Sequence, residues 1–219
     1  RDWTHLRELL PELRKRKVVD EERFEELERM VHTELLHDAA GSADPQALHQ
    51  GWSDVPRRLR TSEPLVTTYA EGLIKQGYHE TAANLLRDAL KKSWNEQLVY
   101  LYGMIESSDP AKQLAHAEDW LKHHERDPVL LLALGRLCVR NELWGKARMY
   151  LEASIGAGAR PDTYRALGEL LERMNERQEA AECYRKGLLL ADEAEKPRTV
   201  GRALAGRGAP DPAKLLSPG

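Results

Sequence analysis

At 219 residues, with 33 lysines and arginines against 36 aspartates and glutamates and a net charge of −3, the chain lacks the one-sided basic field expected of a nucleic-acid binder. Its 41% hydrophobic content can build a core, yet no run of eighteen apolar residues occurs, so no stretch of this sequence reads as a membrane-spanning helix. The two cysteines, Cys138 and Cys183, lie far apart without a Cys-x-x-Cys, which excludes a disulfide framework or cysteine zinc site and reads both as small buried residues suited to a reducing compartment.

From Trp3 to Leu13 the apolar residues fall on one helical face, Asp2 or Thr4 can cap the start, and Pro11 predicts a kink or an early end. A second helix follows over 18–40, capped by Asp20, with Phe24, Leu27, Met30, Val31, Leu35 and Leu36 as its stripe. Gly41 to Pro45 is a loop, and the next helix, from Pro45 to about Leu59, carries Leu48, Trp52 and Val55 and is bent at Pro56. The basic clusters Arg14 to Lys17 and Arg57 to Arg60 read as solvated helix ends. The chain starts at Arg1 in what reads as helical structure, so a preceding segment is expected.

Regular repeats begin at Pro64. Gly135 and Gly168, Ala147 and Ala180, and Leu151 and Tyr184 each stand 33 residues apart (168 − 135, 180 − 147, 184 − 151). Ala70 and Gly103 extend that register upstream, giving hairpins over 64–92, 96–124, 127–155 and 160–188, with about two extra turn residues between Ser107 and Pro110. A small residue in each first helix and Ala-x-x-x-(Leu or Tyr) in the second suit hairpins that stack closely on copies of themselves. This period and pattern resemble the tetratricopeptide repeat. The expected fold is an all-α, tetratricopeptide-like solenoid of helical hairpins in a right-handed superhelix: residues 1–63 form irregular hairpins, 64–190 four repeats, and 191–219, rich in Ala, Gly, Pro and charge, a largely disordered tail.

Beyond the generic repeat, "LRELLPELRKRKVV", "LVYLYGMI", "DPVLLLALGRLCVRNELWGKARMYLEASI" and "AAECYRKGLLLA" resemble the C-terminal domain of the HemY family, from about Trp3 to Ala191. The resemblance implies a proteobacterial inner-membrane protein associated with late haem biosynthesis. Two N-terminal membrane helices would lie outside this sequence, with the repeat domain in the cytoplasm. The flavin-dependent oxidase that shares the name is unrelated, and the chain carries no Gly-x-Gly-x-x-Gly.

No Gly-x-Ser-x-Gly, His-Glu-x-x-His or P-loop is present, and the expectation is a non-catalytic scaffold without a resident cofactor or metal. In resembling repeats the first helices line a concave groove. Carried onto this register, that groove takes Thr67, Glu71, Ile74 and Lys75, then Gln97, Tyr100 and Met104. The third repeat gives Val129, Leu132, Arg136, Val139 and Arg140; the fourth gives Asp162, Arg165, Glu169, Glu172 and Arg173. Four arginines on two adjacent helices suit a partner protein's carboxylates, or pair with the neighbouring Asp162, Glu169 and Glu172. The implied partners are haem-pathway enzymes. The alternatives are a porphyrin, its propionates on the arginines and its ring on Tyr100 or Met104, and self-association into a homo-oligomer.

Overall fold

The computed structural model describes residues 2–195 except 18 and 43, so the expected tail lies outside the described residues from 196 onward. Among the described residues there are eleven α-helices, a short 3-10 turn and no strand. The chain is an all-α, tetratricopeptide-like solenoid. Four hairpins, α4 (Glu63–Lys75) with α5 (His79–Lys92), α6 (Glu96–Tyr102) with α7 (Pro110–His124), α8 (Pro128–Arg140) with α9 (Trp144–Ala157), and α10 (Pro161–Arg173) with α11 (Arg177–Glu195), stack in order. First helices pack on first helices, α4 on α6, α6 on α8 and α8 on α10, while α10 also rests on α9.

The repeated glycines sit where helices approach most closely. A Cβ on Gly135 would lie 2.5 Å from Leu151 Cγ, and one on Gly168 2.5 Å from Tyr184 Cε1. Three of the four hairpin turns are closed by a residue in the left-handed region: Gly77 (φ 81), Glu142 (φ 57) and Asn175 (φ 64). The following N–H groups, of Tyr78, Leu143 and Glu176, then donate to the carbonyls of Leu73, Cys138 and Leu171 at 2.8, 2.9 and 2.8 Å, satisfying helix ends that would otherwise be orphaned.

The second hairpin breaks this rule. Register puts its turn residue at Pro110, whose ring locks φ near −65° and forbids the left-handed conformation. α7 therefore begins at Pro110 behind the Asp109 cap, and α6 stops at Tyr102 after only 7 residues. The expected extra turn residues belong to a loop over 103–109. Asp127 fastens this hairpin to the next. Its Oδ1 accepts from the N–H groups of Val129 and Leu130, capping α8, and its Oδ2 accepts from Trp94 Nε1 at 2.8 Å.

Ahead of the array, α1 (Trp3–Arg16), α2 (Glu21–Ala40) and α3 (Pro45–Asp54) form the irregular start. Pro11 sits inside α1 without ending it, and the helix from Pro45 stops at Asp54, with a separate 3-10 turn over Arg57–Leu59. Met30, placed on the apolar stripe by spacing, is 47% exposed. α2 packs on α4, and Trp52 stacks on Tyr69 at 4.4 Å, so α2 and α3 join the main core running from Leu36 to Ala180. α1 does not. Leu10, Phe24 and Val31 make a separate small cluster with Trp3, Leu6, Leu13, Leu27 and Leu35 around them.

Beside that cluster His32 is buried next to Glu28, which Arg58 bonds. Burial pushes the imidazole pKa below its ordinary 6.5; Arg7 and Arg58 act the same way, and Glu28 and Asp54 oppose them. The unfolded chain thus binds this proton more tightly than the fold does. The stability contributed by neutral His32 is whole above that range and is lost as pH falls through it. Thermal melts stepped from neutral to mildly acidic pH should show that loss, and a His32→Gln chain should show a shallower slope; equal slopes would clear His32.

Candidate functional site

The stacked first helices bring seven of the seventeen candidate groove residues around one cavity of about 440 Å³: Met104, Arg136, Val139, Arg140, Arg165, Glu169 and Arg173, together with Glu106, Ala166 and Leu170. Tyr100 joins them through Arg136, whose guanidinium lies 4.6 Å from the ring centroid. Thr67, Glu71 and Lys75, on α4, do not line it. Val129 and Leu132, carried onto the groove by register, are 1% and 0% exposed and belong to the core. Met104 reaches the cavity from the loop after α6, not from a helix face, because α6 ends two residues earlier.

The arginines divide into two roles. Arg140 is half-buried and committed: its Nη1 donates to the carbonyls of Gly103 (3.0 Å) and Ile105 (2.7 Å), and its Nη2 to that of Met104 (3.1 Å). It holds the ends of the truncated α6 and its loop, doing in this hairpin what the left-handed turn does in the others. Burial lowers its pKa from the usual arginine value, with Glu106 opposing. Arg140 is thus a structural clip rather than a clamp for a ligand. Asn141 completes the clip, its Nδ2 donating to Pro110 O at 3.0 Å.

Arg136, Arg165 and Arg173 are available. Arg136 spends Nη2 on a long 3.5 Å contact to Tyr100 Oη, and its Nη1 is buried with no partner among the described residues. Arg165 makes one exposed pair with Asp162 at 3.4 Å, which contributes little in water. Arg173 and Glu169 make no ion pair among the described residues. The pairing expected between the groove arginines and Glu169 or Glu172 therefore does not form. What remains is a set of guanidinium donors around an open cavity with two carboxylates, Glu106 and Glu169, at hand.

The cysteines offer no competing chemistry. Cys138 is fully buried and its thiol is pushed up to about 11 by desolvation, which keeps it protonated and inert. Among the described residues no three of His, Cys, Asp and Glu are placed to hold a metal ion, and no helix is long and apolar enough to cross a membrane.

Hairpin geometry and a groove lined by first helices define a helical-repeat protein of the tetratricopeptide type. Among curated proteins the chain is similar to Protein HemY of Escherichia coli (strain K12), 26% identical over 198 residues that cover 90% of this chain and 49% of that one. The same figures hold for Protein HemY of Shigella flexneri. The chain spans about half the length of the curated relatives it matches. Among solved structures, "MamA 41-end from Desulfovibrio magneticus RS-1" is similar at a TM-score of 0.50 and 14% identity, over 78% of this chain and 98% of that one, a likeness of fold alone. No family model matches the chain.

Proposed function

We propose that this chain is a non-catalytic protein-interaction scaffold whose groove receives an acidic or C-terminal segment of a partner protein. One observation carries the reading. The cavity is lined by the guanidinium groups of Arg136, Arg165 and Arg173, and the buried Nη1 of Arg136 has no partner among the described residues. Guanidinium forks bind carboxylates bidentately, and a cavity formed by stacked helices is preformed, so the partner alone bears the cost of ordering. The similarity to HemY supports the setting: a protein tethered to a bacterial inner membrane outside this segment, gathering enzymes of late haem biosynthesis where anchoring raises their effective concentration.

The test is cross-linking capture from source membranes with the tethered full-length protein, comparing wild type with Arg136→Glu/Arg173→Glu. Haem-pathway enzymes should be captured by the wild type and fall by about tenfold or more in the variant, the scale of one lost charge-assisted contact. Equal capture by both would remove the groove from the reading. A haemin titration on the same pair examines the porphyrin-carrier alternative, which has less to rest on: Arg136 already covers a face of Tyr100, leaving Met104 for the ring. A Soret change that saturates in the wild type and is lost in the variant would favour the carrier.

A further inference from the structure

We propose that a second, polar cavity, between α5 and α7 and apart from the groove, binds a singly charged hydrogen-phosphate group, either inorganic phosphate or the head of a small phosphate monoester. The cavity holds about 290 Å³, with Glu80, Arg87, Tyr102, Lys112, Gln113 and His116 in its wall. Three of these side chains bury a polar atom that has no partner among the described residues: Arg87 Nε, Gln113 Oε1 and His116 Nε2. Buried polar atoms are almost always bonded, so three orphans around one space mark a place where something polar belongs.

Their chemistry specifies what. Gln113 is 3% exposed, and its amide nitrogen donates to the carbonyls of Tyr102 (3.1 Å) and Ile105 (3.2 Å), which fixes Oε1 as an acceptor awaiting a donor. Arg87 Nε is a donor awaiting an acceptor. Arg87 bonds only Asn84 Oδ1, and neither it nor Lys112 makes an ion pair among the described residues. The nearby carboxylates are already engaged: Glu80 Oε1 accepts from Ser107 Oγ (2.7 Å), Ser108 N (2.9 Å) and Ser108 Oγ (3.0 Å), and Asp109 Oδ1 caps α7 at Lys112 N (3.0 Å). Next to desolvation, the influences that depress the His116 pKa are Arg87, Lys112 and Lys91, with Asp119 opposing, so the imidazole sits in a cationic setting.

The occupant must therefore accept from a guanidinium and donate to an amide oxygen within one small volume. Carboxylate and sulfate present only acceptors at neutral pH. A singly protonated phosphate presents acceptor oxygens and an O–H on one tetrahedral centre. Because Glu80 and Asp109 offset Arg87 and Lys112, a monoanion fits better than a dianion. The volume is roughly ten times the ~30 Å³ share of one water, so a phosphate enters without displacing the walls.

The experiment is an NMR titration of this chain with inorganic phosphate, glycerol 3-phosphate and sulfate at constant ionic strength, following the His116 ring and Gln113 amide signals. Saturable shifts with phosphate or with the ester are expected, sulfate weaker by about tenfold, and Arg87→Gln or Lys112→Gln weakening phosphate by about tenfold while circular dichroism and melting stay those of the wild type. A response to the free anion alone identifies inorganic phosphate as the ligand, and a stronger response to the ester identifies a head group. Absence of saturation, equal sulfate binding, or binding unchanged in both variants would mean solvent or an adventitious ion only, and would overturn the proposal.

Discussion

A chain carrying Gly135→Leu melts well below the wild type. Gly135 on α8 faces Leu151 on α9, and even a bare Cβ would come within 2.5 Å of Leu151 Cγ and 2.6 Å of its Cδ2. Leu151 is 0% exposed and enclosed by the core, so it has nowhere to move. Overpacking of this kind costs about 1–3 kcal/mol, while losing a helical glycine returns no more than ~1 kcal/mol. At about 2–4 °C per kcal/mol for a domain of this size, Tm should fall by several degrees. Gly168→Leu should behave alike against the rigid Tyr184 ring, whereas Gly145→Ala, with nothing within 4 Å of its added methyl, should not lower Tm. Unchanged melting of Gly135→Leu would mean that the helices do not meet at this register.

Arg140→Ala should destabilise the fold, although Arg140 stands on the groove. The substitution strips three hydrogen bonds from the carbonyls of Gly103, Met104 and Ile105; Gly103 and Ile105 are buried, and only Ile105 O keeps another protein donor, Gln113. Hydrogen bonds from a charged donor are worth about 1.5–3 kcal/mol, and a buried carbonyl left without one costs a similar amount. Arg140→Lys should recover little of this, since a point-like ammonium cannot span three carbonyls as a planar fork does. Arg136→Glu/Arg173→Glu should melt like the wild type. Denaturant unfolding, with hydrogen exchange over 103–109, separates the roles. Loss of partner capture in Arg140→Ala with stability intact would return it to the ligand-binding set.

The periodicity of the chain made most of the fold legible. Gly135, Ala147 and Leu151 with their partners 33 residues on mark the α8/α9 and α10/α11 hairpins, because a repeat that must pack on its neighbours constrains the same positions each time. The second hairpin departs from the regular repeat where the register already asks for extra turn residues, in the loop before Pro110. Pro110 occupies the place where Gly77, Glu142 and Asn175 turn left-handed, and in this hairpin α6 ends at Tyr102, which leaves Met104 in a loop. In the site, register placed Arg136, Arg165, Glu169 and Arg173 on the cavity face, but it could not tell an arginine that awaits a ligand from one that satisfies a loop. Arg140 took the second role only because α6 is short, a relation between two helices rather than a property of either. The phosphate-type cavity left no motif at all: Arg87 on α5 meets Gln113 and His116 on α7 only through the packing of two hairpins.

The separate cluster under α1 has a mechanical meaning. A pull entering the chain at its first helix is resisted by the apolar contacts of Leu10, Phe24 and Val31 and by the ion pair of Arg7 with Asp54 at 2.8 Å, whereas α2 is locked to α4 through the main core. Load on α1 would therefore be met first by a small local cluster, in series with the larger continuous core, and α1 should detach before tension reaches α8 and α10.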